Sequence, residues 1–527
     1  MRMENPKDRF RGLAAKPWPQ LLAQTYAAAV LVWFPWCAFG YLQIAQTKLA
    51  AFLGTTLLAG VLLAVVVPEK MDARRLKGQG IAAAAYAVAT LVSVLLSGNV
   101  AAALWGSGGY LGGFVLAAGA LLACMGIAAF LPDADGLQLP FIISGAGVAL
   151  LGVLNNFGAD PLGFRAAIQP EQYNLFFSTI GNADYFSAFL CLWLPLAMHR
   201  CAAAEAAGER LVAFLCAEVG FLAMASLDSG LTALGLAGAA FLLLLALPLT
   251  ARQLTHYALL AAGWAAAQWL MGCFAARWPL LRTEHPFAAL RDPRLAGATV
   301  LVFLLLSVGF AVLERRYPGK MYKTQQRVFC GAVLLLCVAL LVLANGFSVS
   351  FGGLDNFLNL GADWATGRGA IWANAWYSFT QGTPLQWLFG RGPGMLHAAL
   401  AGIPSLPYAL TDTIGAHNEY LELLLTTGVV GLAAYLAFLG TVLHTARRVL
   451  VGDPAKRGWL FCAAAYMVQA LFNNRVTAVF PIFVAVLGVL TVQQKGAKPC
   501  RILLPAALVL AACGMALGKV LLHYLFI

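Results

Sequence analysis

Residues Val328–Phe357 read VFCGAVLLLCVALLVLANGFSVSFGGLDNF. Up to Ala344 the side chains are almost all apolar; from Asn345 polar and turn-forming residues take over. An apolar run close to 20 residues long matches a hydrocarbon layer roughly 30 Å thick. The same pattern recurs along the chain. About fifteen runs are centred near residues 31, 58, 89, 120, 147, 193, 219, 239, 265, 304, 336, 431, 465, 483 and 512. The expected fold class is therefore all-α: a polytopic transmembrane helical bundle of about 12–15 spans. Two long apolar stretches are broken only by SLDSGLT (Ser226–Thr232) and FNNRVT (Phe472–Thr477). Each exceeds one bilayer thickness, so each is expected to be a hairpin of two spans.

Composition agrees. The chain of 527 residues is 61% hydrophobic and 11% charged, with a mean hydropathy of +0.79. Soluble domains carry about 25% charged residues. The net charge of +12 is spread over short connecting segments, which points to membrane topology and not to nucleic acid. The 11 cysteines are scattered without a CxxC pair or metal-type spacing and read as small buried hydrophobes. The first apolar run follows a basic segment and lacks a small-residue cleavage site, so it is expected to be a retained helix.

Charge also orients the bundle. With the N-terminus in the cytoplasm and fifteen alternating spans, cytoplasmic segments hold 24 of the 34 Lys and Arg residues, and the outer side holds 10. The positive-inside rule favours this arrangement. It divides the chain into N-terminal membrane helices (1–344), a large outer loop with short helices (345–417) and C-terminal membrane helices (418–527). Shorter outer segments span 156–184 and 275–294, the latter holding Arg277, Arg282, Arg291 and Arg294. These arginines suit anionic head groups or glycan, or are a tolerated exception to the rule.

The large loop concentrates the residues that suit chemistry. It contains WATGRGAIW (Trp364–Trp372) and FGRGPG (Phe389–Gly394), and it runs into AHNEYLELLLTTGVVGL (Ala416–Leu432). His417 at the start of a helix suits a general base, because the positive end of the helix dipole favours neutral imidazole. The alternative is that His417 and Asn418 only cap the helix. Glu419 and Glu422 follow on neighbouring faces of one turn, and Asp412 lies just upstream. Arg368 and Arg391 each sit between glycines, and a guanidinium fork matches phosphate oxygens. The structural alternatives are snorkelling or an ion pair with Asp363 or Asp355. Trp364, Trp372, Trp376 and Trp387 suit either a sugar-stacking wall or interface anchoring. In 156–184, Arg165 and the Gly181-Asn182 turn precede a helix; Asp228 sits in the Ser226–Gly230 turn as a polar contact candidate. Glu218 is the clearest ionisable residue inside a span, and such residues are otherwise few, which counts against an ion-coupled transporter. No P-loop, GxGxxG unit or zinc spacing occurs.

Together these motifs resemble the O-antigen ligase/polymerase superfamily of bacterial membrane glycosyltransferases. The resemblance is carried by the turn before a helix at Thr179–Asn182, the Ser-rich hairpin turn Ser226–Gly230, Arg368 four residues before Trp372, and Gly390–Gly394 followed by Ala416–Leu432. It is specific over about 360–435 and loose over 155–245. It implies transfer of a glycan from a polyprenyl-diphosphate carrier to an acceptor at the outer face of the bacterial cytoplasmic membrane, without cofactor or metal. The acceptors implied are lipid A core, a growing polysaccharide or a protein hydroxyl. By motif match Arg368 holds the carrier diphosphate and His417 activates the acceptor. Arg391, Arg165, Asn182, Asp228, Trp372, Asn418 and Glu419 are the further candidates for substrate binding. Many members have an arginine in the Ser-rich turn, where this chain has Asp228-Ser229-Gly230, so one phosphate contact is unassigned and Arg391 is its candidate replacement. A lipid-linked oligosaccharide flippase is the alternative from a different functional class, and an inactive membrane scaffold is a third.

Overall fold

A computed structural model describes residues 18–66, 76–107, 109–227, 230–282, 287–352, 355–403, 405–409, 415–452, 456–492 and 503–526. Helices dominate. In chain order they are α1 (Trp18–Ala28), α2 (Ile44–Val66), α3 (Lys77–Leu96), α4 (Val100–Trp105), α5 (Phe114–Phe130), α6 (Asp135–Asn156), α7 (Ala183–Ala203), α8 (Ala207–Ser226), α9 (Gly230–Ala246), α10 (Ala251–Ala275), α11 (Pro293–Arg316) and α12 (Lys323–Gly346). The polar segment contributes α13 (Asp355–Leu358), α14 (Trp364–Thr380), α15 (Pro384–Phe389) and α16 (Leu396–Ala401). The chain then continues with α17 (Glu419–Gly452), α18 (Arg457–Gln469), α19 (Phe480–Leu490) and α20 (Leu503–Phe526). A two-stranded antiparallel ribbon pairs Phe176–Phe177 with Gly181–Asn182 just before α7.

Among the described residues, nine helices are long and apolar enough to cross a membrane, and α5, α9 and α19 are shorter apolar helices. The chain is an all-α membrane protein. Every expected span centre falls within a helical segment, and SLDSGLT does separate two helices, α8 and α9. Its Asp228 lies outside the described residues.

Burial sorts the helices. In α7, 83% of the most apolar stretch is buried, against 11% in each of α11 and α12. So α7 is the central post, and α11 and α12 stand at the periphery. Trp193 of α7 is completely buried, and Gly145 and Gly220 make room for it: a Cβ at Gly145 would lie 2.6 Å from its ring. Another close seam joins α2 to α20. A Cβ at Gly54 would lie 1.8 Å from the Gly514 carbonyl, and one at Gly518 would lie 1.9 Å from the Ala50 carbonyl. Without an aqueous driving force between helices, small residues that admit close backbone contact stabilise such seams.

Two expectations about spans need correction. The run centred near residue 31 is not one regular helix. It passes from α1 into a π-helical turn, Ala29–Trp33, and a 3-10 turn, Phe34–Trp36. The chain turns at Pro35, and the carbonyls of Phe34 and Pro35 accept from Nζ of buried Lys48 at 2.9 and 2.7 Å. The pair around FNNRVT is also not two full spans. With 13 residues in α18 and 11 in α19, they extend only about 20 and 16 Å, short of the roughly 30 Å layer. Lys456 Nζ donates to the Val492 carbonyl, so the two ends of the hairpin meet. In its non-helical tip, Ala470–Val479, the polar side chains of Asn473, Asn474, Arg475 and Thr477 are buried. Irregular backbone at membrane depth is stable only where protein or a cavity satisfies its polar groups; here the Glu419 N–H donates to the Ala470 carbonyl at 2.8 Å and the Asn474 N–H to Asn473 Oδ1 at 2.8 Å.

Candidate active site

The site forms where the N-termini of α7 and α17, the start of α14 and the tip of the α18–α19 hairpin meet. At its centre is Asp184. The Asn182 side chain caps α7 by accepting from the Asp184 N–H at 2.8 Å, and Asn473 Nδ2 donates to the Asp184 carbonyl at 2.7 Å. Those two contacts fix the carboxylate's backbone.

Arg368 reaches Asp184 from α14. Its Nη2 lies 3.2 Å from Asp184 Oδ2, while Nη1 donates to the Ala365 carbonyl at 2.9 Å and to Thr366 Oγ1 at 3.2 Å. The second arm is possible because Ala365, Thr366 and Gly367 take left-handed backbone, with φ of 51°, 62° and 89°. The flanking glycines have separate reasons. Gly367 supplies the positive φ, whereas a Cβ on Gly369 would lie 1.9 Å from the Gly361 carbonyl. Arg368 is thus held over Asp184 by a strained turn.

His417 reaches the same carboxylate oxygen from the other side. Its Nδ1 lies 3.8 Å from Asp184 Oδ2, beyond hydrogen-bond reach of about 3.2 Å. His417 is left-handed, φ 47°, a conformation unusual for a residue with a Cβ. Its N–H donates to Asn474 Oδ1 at 2.6 Å. Burial lowers its proton affinity below the usual histidine value; Arg368 adds to the effect and Asp184 opposes it. This environment favours the neutral imidazole. Asn474 also donates to the Tyr110 hydroxyl at 3.1 Å, and burial pushes the Tyr110 phenol up to about 12. Tyr185 meets Tyr110 edge-on at 5.7 Å.

Aromatic rings border this centre. Trp372 Nε1 donates to the Ala416 carbonyl at 3.0 Å, which ties α14 directly to the residue before His417. Trp364 lies edge-on to Trp372 at 5.2 Å, and Phe472 lies 6.0 and 6.1 Å from the two rings. Trp376 instead packs on Phe379, and Trp387 donates to the Phe379 carbonyl.

The other candidates are occupied by the fold. Glu419 is buried, and its carboxylate accepts from Arg475 Nη2 at 2.8 Å and Nε at 3.1 Å, Tyr435 at 2.7 Å and Tyr466 at 3.1 Å. Its expected place at substrate gives way to an internal ion pair that fastens α17 to the hairpin tip. Asn418 caps α17, accepting from Tyr420 and Leu421 N–H groups at 3.1 and 3.0 Å. Arg391 donates to the Ser378 carbonyl at 3.0 Å, and burial lowers its proton affinity. Arg165 is buried, bonded to the Asn155 carbonyl and stacked 5.3 Å from the Tyr173 ring. Its role is to close the 156–184 segment over α6. Asp228 and Asp412 lie outside the described residues.

Sequence reasoning missed Asp184, Asn473, Asn474, Arg475, Tyr110 and Phe472. For the hairpin residues a signal existed. Three polar side chains in a row, Asn473–Arg475, between apolar runs are costly at membrane depth unless they are paired. Asp184 gave little signal, since a carboxylate in the first turn of a helix is commonplace.

Among the described residues no group of three or more His, Cys, Asp or Glu side chains is placed to hold a metal ion. No protein-family profile matches this chain, and no curated protein is similar enough to count as a match.

Proposed function

We propose that the chain is a glycan transferase that takes a glycan from a polyprenyl-diphosphate carrier and joins it to an acceptor hydroxyl. The observation that carries this reading is the convergence of Arg368 and His417 on one carboxylate oxygen of Asp184, with side chains of Arg368, His417 and Asp184 13%, 24% and 27% exposed. A fixed cation and a neutral base lie side by side, accessible, beside an aromatic border and next to apolar helices that suit a lipid carrier.

The chemistry follows from the charges. The acceptor oxygen attacks the anomeric carbon of the donor sugar and a new glycosidic bond forms. The bond from that carbon to the diphosphate oxygen breaks, its electron pair leaves with the carrier diphosphate, and the acceptor's proton passes to His417. The leaving group gains one negative charge, which the Arg368 guanidinium stabilises. The left-handed turn at 365–367 anchors one arm of the guanidinium, Nη1, on the Ala365 carbonyl and Thr366 Oγ1, which keeps the other arm near the leaving group.

The site lies at the tip of the α18–α19 hairpin, opposite Lys456 and Arg457, which begin it. Under the positive-inside rule this end faces outward from the bacterial cytoplasmic membrane, where acceptor glycan, lipid or protein is met.

The test is transfer in detergent by the purified protein, using a polyprenyl-diphosphate glycan and an added acceptor. Release of carrier diphosphate that depends on acceptor is the expected result. His417→Ala should lower transfer by about 10²–10⁴-fold, the usual contribution of a general base, and remain folded. Transport of the intact lipid across sealed vesicles, with no release in detergent, would make the chain a flippase and overturn the reading.

A further inference from the structure

Arg368 and His417 compete for a single atom. Arg368 Nη2 lies 3.2 Å from Asp184 Oδ2, and His417 Nδ1 lies 3.8 Å from that same oxygen. The guanidinium holds it now. His417 Nδ1 is buried and has no hydrogen-bond partner, and Arg368 Nε is in the same state. A buried ring nitrogen without a partner is costly, so this arrangement is poised for a change of partners.

We infer that Asp184 is a positioning residue that passes from Arg368 to His417 when a diphosphate anion binds. This rests on the transferase reading and specifies how its base is switched on. A diphosphate offers Arg368 bidentate oxygens of higher charge than one carboxylate. Once Arg368 turns to it, Asp184 Oδ2 is released and accepts from His417 Nδ1–H. That bond fixes the tautomer, leaves Nε2 as the proton acceptor and strengthens it as a base. Before donor binds, Arg368 keeps Asp184 engaged and the imidazole is a weak base. Acceptor hydroxyls, water included, are then not activated in the absence of donor.

The surrounding groups are consistent with this assignment. Glu422, on the helix that follows His417, accepts from the Ala416 N–H at 3.4 Å. Tyr110 is held by Asn474, with Tyr185 against its ring. Glu419 and Arg475 neutralise each other in the floor of the site. Of these charged and titratable groups, Asp184 is the one whose carboxylate oxygen faces His417 Nδ1.

The experiment follows acylation of His417 by diethyl pyrocarbonate, read by peptide mass spectrometry on the full-length protein in detergent across acidic to mildly alkaline pH. The reagent attacks neutral imidazole, so the midpoint reports proton affinity. Undecaprenyl diphosphate is the added anion. Asp184→Asn should lower the midpoint in both conditions, but by about one pH unit more, a further tenfold change in proton affinity, with the anion bound. An equal effect in both conditions overturns the proposal. Arg368→Gln provides an arm without Asp184 variants: with no anion present, its midpoint should already rise tenfold in affinity above the unmodified protein, and an unchanged midpoint again overturns the proposal. Both outcomes are read without turnover. Loss of the proposal with glycan transfer intact leaves the transferase reading standing, whereas absence of transfer removes that reading.

Discussion

The backbone N–H of His417 donates to Asn474 Oδ1 at 2.6 Å although 57 residues separate them. That bond ties the start of α17 to the hairpin tip and maintains a left-handed histidine, φ 47°. A non-glycine residue in this region costs on the order of 1 kcal/mol or more and persists only when its surroundings enforce it. Asn474→Ala removes the restraint and also the donor to Tyr110. Transfer should fall by at least about tenfold, since small misplacements of a catalytic group cost that much or more. Asn474→Asp keeps the accepting oxygen and should recover part of the loss. Steady-state kinetics on both variants decides, and equal activity of Asn474→Ala and the unmodified protein would remove Asn474 from the site.

The proton affinity of His417 predicts an acid limb. Its pKa is lowered below 6.5 by burial and by Arg368. A base must be unprotonated, so transfer is full above that pKa and falls as pH drops through it. The profile of kcat/KM reports the free enzyme, and its acid limb should be centred below 6.5. A limb centred above 6.5 would contradict the environment found around the imidazole.

Glu419 and Arg475 form a closed pair, 1% and 9% exposed. Glu419→Gln leaves a buried guanidinium without its counter-charge, at a cost of about 3–5 kcal/mol. The thermal midpoint in detergent should drop markedly, and little folded protein should accumulate. A variant of unchanged stability with a raised donor KM would instead return Glu419 to a role at substrate.

Gly369 has no room for a side chain, because its Cβ would lie 1.9 Å from the Gly361 carbonyl. Gly369→Ala must displace the turn that aims Arg368. Transfer should fall about 10²-fold, the scale of a displacement near 1 Å, while membrane insertion and the unfolding midpoint change little. Normal turnover in Gly369→Ala would show that the turn accommodates the shift.

Arg391 makes a structural bond, to the Ser378 carbonyl. Arg391→Ala should lower stability by about 1.5–3 kcal/mol, the usual worth of a hydrogen bond to a charged group, and leave donor KM unaltered. A raised donor KM at constant stability would make it the second phosphate contact.

What could be read from the sequence follows from the range of each signal. Apolar run length is local, so the helices were legible even at the fringes, as in α12. Arg368 and His417 were legible as a pair of suspicious residues because each sits in a conspicuous local setting. Their common partner was not. Asp184 lies 184 residues from Arg368, and the GNADY stretch shows only a cap and a turn. FNNRVT was read as a connection because a turn and a buried polar tip have the same composition. What separates them is the length of α18 and α19, and the tip's charge is tolerated because Glu419 and Tyr86, distant in sequence, accept from Arg475. The break at Pro35 was read through as one span, because the Lys48 that donates to its carbonyls arrives from another helix.

The FGRGPG loop and the bend in α17 are keyed into each other. A Cβ on Gly390 would lie 2.2 Å from the Thr426 backbone, and one on Gly428 would lie 2.3 Å from the Leu388 backbone. The bend at Gly428 frees the Thr426 carbonyl, which accepts from the Gly392 N–H at 2.9 Å and from Ser93 Oγ at 2.7 Å. Glycines usually suggest a hinge, yet these are consumed by contact, backbone against backbone from both sides. Rotation at either would drive main chain into main chain. The 389–394 segment therefore travels with α17 as one rigid lever, and Arg391, bonded to the Ser378 carbonyl, carries any tilt of that helix to α14.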